Sequence, residues 1–188
     1  QGVTFTVIDG GSPVNSDSAS VVTFISGEDS NSVLNGFTIT GGSGTNVPPG
    51  GYIGGGIYCN GSSPKITGNT IDGNTVDFAG GGIACLNNSS PVITGNTITG
   101  NTSDVGGGIE CWINSSPRIS DNIITGNTAP TAGGGLSCHT ASPTIEGCVI
   151  SNNNGDGIYC LEMANPTINY NNITSNTDYG VKNIYAGV

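Results

Sequence analysis

Residues 80–101 read GGGIACLNNSSPVITGNTITGN, and the same phrase returns along the chain with little change. GGGIYC begins at Gly54, GGGIAC at Gly80, GGGIEC at Gly106, GGGLSC at Gly133 and GDGIYC at Gly155, at intervals of 26, 26, 27 and 22 residues. A second frame, keyed to Pro64, Pro91, Pro117, Pro143 and Pro166, is locked to the first. Two places after each Pro stands an Ile: Ile66, Ile93, Ile119, Ile145 and Ile168. Seven places after it stands another: Ile71, Ile98, Ile124, Ile150 and Ile173. Between and beyond them lie two Asn columns. One is Asn69, Asn96, Asn122 and Asn171, with Cys148 in the fourth place; the other is Asn74, Asn101, Asn127, Asn153 and Asn176. A period of this length marks a stacked-repeat architecture.

Each copy holds three pieces of alternating pattern, such as Ile57-Tyr58-Cys59, Lys65-Ile66-Thr67 and Thr70-Ile71-Asp72, separated by Gly, Asn and Ser. Pieces this short cannot be helices, and one or two inward side chains cannot make a core. Stacked copies can, because each strand pairs with its equivalent in the next coil. The expected fold is all-β, a right-handed parallel β-helix of about seven coils and about 25 residues per coil, the hand following from the preference of parallel crossovers. Leucine-rich repeats fail because only Leu34, Leu86, Leu136 and Leu161 are present, and nonapeptide β-rolls fail because no nine-residue Asp period exists.

One domain is expected over 1–188. Residues 1–53 form irregular coils with strands at Val3 to Ile8 and Val21 to Ile25 and an inserted loop at 41–51; residues 54–179 hold five regular repeats; residues 180–188 begin an incomplete coil. Leu34-Asn35-Gly36-Phe37-Thr38-Ile39 repeats the Ile-x-Gly-Asn-x-Ile segment with Phe37 in the Asn place.

Composition agrees. Among 188 residues, 33 are Gly and 9% are charged, which excludes a coiled coil and a helical bundle. Lys65, Arg118 and Lys182 are the only cations and the net charge is −10, so a phosphate backbone is repelled and nucleic acid is not an expected partner. Neither an apolar run long enough for membrane insertion nor a signal-peptide pattern is found, and the start at Gln1 suggests a processed product. The six Cys show no CxxC pairing.

The GGGI-x-C and SSP-x-I-T-G-N-T-I phrases, with Val7-Ile8-Asp9-Gly10, resemble right-handed parallel β-helix repeat proteins of the pectin-lyase-like superfamily. That resemblance implies the fold, and it spans lyases, glycosidases, adhesins and structural proteins, so it leaves function open. Pectate lyases similar to this fold use clustered Asp residues with Ca²⁺ and a basic residue; Arg118 has only Val92 and Thr144 beside it in its column. Polygalacturonases similar to it carry four motifs, of which only Asn176-Thr177-Asp178 appears, and Asn-Thr recurs here as part of the repeat.

The columns set the candidates. Cys59, Cys85, Cys111, Cys138 and Cys160 are expected inward as small buried groups, with bridging between neighbours as the alternative. The Asn columns are expected as structural ladders whose residues take left-handed turn angles. Two outward columns, Tyr58–Ala84–Glu110–Ser137–Tyr159 and Asn60–Leu86–Trp112–His139–Leu161, form an apolar face. Tyr58, Leu86, Trp112, His139, Tyr159 and Leu161 are its candidate contact residues, meeting a loop of the same chain, a second subunit or a sugar ring. Glu110 and His139 are the candidate acid–base pair. Asp77 and Asp104 are the candidate Ca²⁺ ligands, and no other cofactor is expected. Threonine pairs such as Thr97/Thr99 suggest an ice-binding array, but Asp72, Ile123 and Val149 break it. Asn60, Asn88, Asn101, Asn114 and Asn172 stand in glycosylation sequons.

Without an end cap in the sequence, the expected function is that of an extracellular or cell-surface structural subunit assembling head to tail with itself through open coil ends. The alternative is a carbohydrate-active enzyme or glycan-binding module working on an outer face.

Overall fold

The computed structural model describes residues 6–184. It is a parallel β-solenoid without helices among those residues. Three parallel sheets run its length. The first, the cysteine sheet, stacks Val22–Phe24, Ile57–Asn60, Ile83–Leu86, Ile109–Trp112, Leu136–His139, Ile158–Leu161 and Val181–Ile184. The second runs from Val33–Asn35 through Lys65–Thr67, Val92–Thr94, Arg118–Ser120 and Thr144–Glu146 to Thr167–Asn169. The third runs from Thr6–Asp9 and Phe37–Thr40 through Thr70–Asp72, Thr97–Thr99, Ile123–Thr125 and Val149–Ser151 to Asn172–Thr174. The regular part makes about five turns, rather than the seven expected, because the outermost turns are irregular or partial. The expected strand at Val3 to Ile8 is seen from Thr6; its first residues, and residues 185–188 of the last coil, lie outside the described residues.

Register follows the repeat. Ile66, Ile93, Ile119, Ile145 and Ile168 are successive partners in the second sheet. Ile57, Ile83, Ile109, Leu136 and Ile158 do the same in the cysteine sheet, and all five are fully buried. Each such side chain removed from water contributes about 1.5–3 kcal/mol, and a coil supplies three. Leu34 pairs with Ile66, and the Phe37 N–H donates to Asn69 Oδ1 at 3.0 Å, so Phe37 does occupy an Asn place.

The corners depart from expectation in one respect. No ladder Asn takes a left-handed angle; the residue before it does. Gly68, Gly73, Gly95, Gly100, Gly126 and Gly147, and Asp121, Asn152, Tyr170 and Ser175 in the remaining copies, all have φ between 55° and 66°. The reversal is made one residue early, which turns the following side chain into the coil. There Asn101 Oδ1 accepts from the Asn74 N–H (3.1 Å) and Nδ2 (2.9 Å), while its own Nδ2 donates to the Ile71 carbonyl (2.9 Å) and Asn127 Oδ1 (3.0 Å). At Cys148 the other ladder loses its acceptor, because a thiol 4.0 Å from Asn122 Nδ2 replaces an amide oxygen.

The inserted loop at 41–51 is more ordered than expected. Gly44–Val47 and Gly51–Ile53 form an antiparallel hairpin that also pairs with Ser18–Ala19. All six Cys are free and buried, so the five-membered column is packing rather than bridging.

Candidate functional site

The outer face of the cysteine sheet carries the two predicted columns in the predicted register: Tyr58, Ala84, Glu110, Ser137 and Tyr159 in one, Asn60 and Leu86, then Trp112, His139 and Leu161, in the other. The face is not uniformly open. Tyr58 and Leu86, expected as contact residues, are buried in a second apolar cluster with Ile53, Ala79 and Ala84. The hairpin 44–53 closes over them, and Val47 and Phe78 pack against the cluster. Ile53, Ala79, Val105 and Ala132, each just before a Gly-rich corner, are joined by single parallel bridges into a wall beside the sheet. That wall, together with Phe78 and Glu162, was missed in the sequence, although an apolar residue before every GGG is visible there.

Further along, the wall and the sheet part to form a cavity of about 220 Å³. Its floor is Glu110, Trp112, Ser137, His139, Tyr159 and Leu161; its far side is Phe78, Val105 and Ala132. A second apolar cavity, of about 250 Å³, lies under the hairpin tip at Pro48 and Pro49 and shares Phe78 and Trp112 with the first. Phe78 meets Trp112 edge-on with centroids 5.7 Å apart, and His139 stacks on Trp112 at 5.6 Å. The two cavities abut at the Phe78–Trp112 contact, so the outer groove is a pair of hollows with Trp112 between them.

Glu110 is 2% exposed, and its Oε2 has no hydrogen-bond partner. The carboxyl folds towards Gly106, where an added Cβ would stand 2.8 Å from Oε2. Burial pushes it well above the carboxylate range, with the neighbouring Ser137 hydroxyl opposing only in part. The expected Glu110–His139 pair does not form: His139 Nε2 lies 3.0 Å from Glu162 Oε2, a residue just past the end of the Ile158–Leu161 strand. His139 is drawn to the corner while Glu110 is drawn under the wall.

Asp77 Oδ1 accepts the Tyr52 N–H at 2.8 Å and anchors the hairpin, Asp104 is exposed, and no cluster of three potential metal ligands occurs among the described residues. Arg118, which lacked an acidic neighbour in its own column, has one on the diagonal: Glu146 at 3.5 Å, the Arg exposed and the Glu partly so. Asn176 and Thr177 serve the coil, Thr177 Oγ1 accepting the Gly155 N–H at 2.7 Å.

A family model described as a right handed beta helix region matches residues 25–187. The chain belongs to that family. No curated protein and no solved structure matches it. The family fixes the solenoid, and the groove is a feature of this chain's own outward residues.

Proposed function

We propose that this β-helix is an extracellular glycan-binding protein that seats a saccharide chain along the outer groove, with Trp112 as the stacking platform. The observation that carries the reading is the alignment of two apolar cavities on either side of one partly exposed indole, above a wall built from the repeat itself. Sugar rings present apolar faces to aromatic side chains and hydroxyls to a few placed polar groups, and Glu110, Ser137 and Thr131 supply the latter. Binding rather than turnover is the reading because the one histidine is engaged by Glu162 and no second acid faces Glu110 across the cavity. The extracellular setting is supported by the sequons at Asn88, Asn114 and Asn172, which are exposed; that at Asn101 is sealed inside a ladder. Trp112→Ala is expected to weaken binding about tenfold or more in a calorimetric screen of neutral, acidic and amino glycans, with melting unchanged within a few degrees. Equal affinity in wild type and variant removes the groove from the function.

Head-to-tail assembly is the second reading. It is favoured by the half-exposed Asn171 and Asn176, the last members of their ladders, whose coil presents a strand edge on its outer side. A rim of this kind accepts another coil, from the same chain or from a second copy. Sedimentation velocity over a hundredfold concentration range is expected to show growth beyond the monomer, and a single invariant species sinks this reading.

A further inference from the structure

We propose that the cavity beside Glu110 takes an ammonium group carried by the bound saccharide, so that the groove selects amino-sugar polymers over neutral and uronate ones. This rests on the saccharide reading of the groove, and the buried carboxyl supplies the rest.

A buried carboxyl with an unpartnered oxygen calls for an explanation, because buried polar atoms are almost always bonded. The chain does not supply a cation. Lys182 lies over the Tyr159 and Tyr179 rings and 4.0 Å from Asp156; Arg118 faces Glu146 on the second sheet; Lys65 is exposed on that same sheet. The place beside Oε2 is left to a group from outside. The rest of the cavity suits a cation as well: Phe78, Trp112 and Tyr159 line it, and ring faces attract ammonium groups most strongly where water is excluded. A net charge of −10 draws cations to the surface and repels uronates.

Ligand and proton exchange here. Burial in the empty cavity favours the protonated form of Glu110; an arriving ammonium group favours the carboxylate, and the proton it displaces leaves to solvent. Affinity therefore rises with pH while the ligand's amine keeps its proton and Glu110 is still protonated in the free protein, and it falls once the amine itself deprotonates. The other titratable groups around it are the Cys85 and Cys138 thiols on the flanking strands, His139 with Glu162 and Tyr159 along the cavity, and Asp77 and Asp104 on the wall loops. The pH series must therefore be repeated in Glu110→Gln, where it is expected to be flat.

The test is calorimetry on the full chain with four probes: a glucosamine tetramer, its N-acetylated counterpart, a galacturonate tetramer and tetramethylammonium chloride, each in two buffers of different ionisation enthalpy. The glucosamine tetramer is expected to bind about tenfold more tightly than the acetylated one, with release of close to one proton, and Glu110→Gln is expected to erase both differences. Proton release by the wild type keeps the test informative should the variant fold poorly. Equal binding of the two tetramers, unchanged in Glu110→Gln, overturns the ammonium site and leaves the saccharide reading standing, and so does a preference for galacturonate. Glu110-dependent binding of tetramethylammonium without any tetramer supports the ammonium pocket and retires the saccharide. Silence from all four probes on folded protein overturns both.

Discussion

Asn101→Ala is expected to lower the free energy of unfolding by about 3–5 kcal/mol, read from the urea midpoint at constant slope. The side chain is fully buried and works in both directions along the stack. Its oxygen receives the Asn74 N–H and Nδ2, and its Nδ2 reaches the Ile71 carbonyl and Asn127 Oδ1. Truncation leaves the Asn74 N–H buried without an acceptor, and an orphaned donor of this kind costs about 1–3 kcal/mol before the lost bonds and the cavity are counted. Asn172→Ala, on an exposed Asn one place after the ladder residue Asn171, is the control and should stay within about 0.5 kcal/mol of wild type. A small loss at Asn101 would mean that the ladder decorates the coil without holding it.

Gly82→Ala should cost about 3 kcal/mol or more for a different reason. Gly82 does not need a left-handed angle; it needs to be thin. A methyl group there would stand 2.5 Å from the Gly108 carbonyl oxygen and 3.1 Å from both Asn101 Nδ2 and the Ile98 side chain. That carbonyl accepts the Ile83 N–H at 2.9 Å, so the added carbon pushes directly on a bond between coils. Gly56, Gly108, Gly135 and Gly157 repeat the arrangement, each with a backbone oxygen of the next turn in the way. The expected result is a loss of thermal stability without new secondary structure, followed by circular dichroism. Toleration of Ala at Gly82 would show that the coils can spread at this corner.

The contrast between inward and outward residues explains what was legible. The Ile, Cys and Asn columns could be read from the sequence because each coil presents them to an identical coil, so spacing alone fixes the neighbour. Phe37 was placed by the same logic, and its N–H keeps the ladder bond although its side chain cannot. The outward columns were read in correct register but with the wrong burial. What covers Tyr58 and Leu86 is the hairpin 44–53, an insertion that occurs once and has no period to betray it. Glu110 was picked out as chemically unusual in its column, yet its partner was misassigned. Alternation places His139 on the right face but says nothing of Glu162, which approaches from a corner outside the strand pattern. The left-handed angle belonged to the residue before each Asn, a matter of corner geometry that composition cannot resolve.

A linear stack is only as strong as its weakest joint, and Cys148 marks one. The two joints from Asn69 and Asn74 to Asn122 and Asn127 are each tied by two side-chain amide links; between Asn122 and Cys148 one of the two is reduced to a distant sulfur, while Asn127 to Asn153 persists. This joint lies between the Ile109–Trp112 and Leu136–His139 strands, so opening there separates His139, Tyr159 and Leu161 from Trp112 and divides the groove itself.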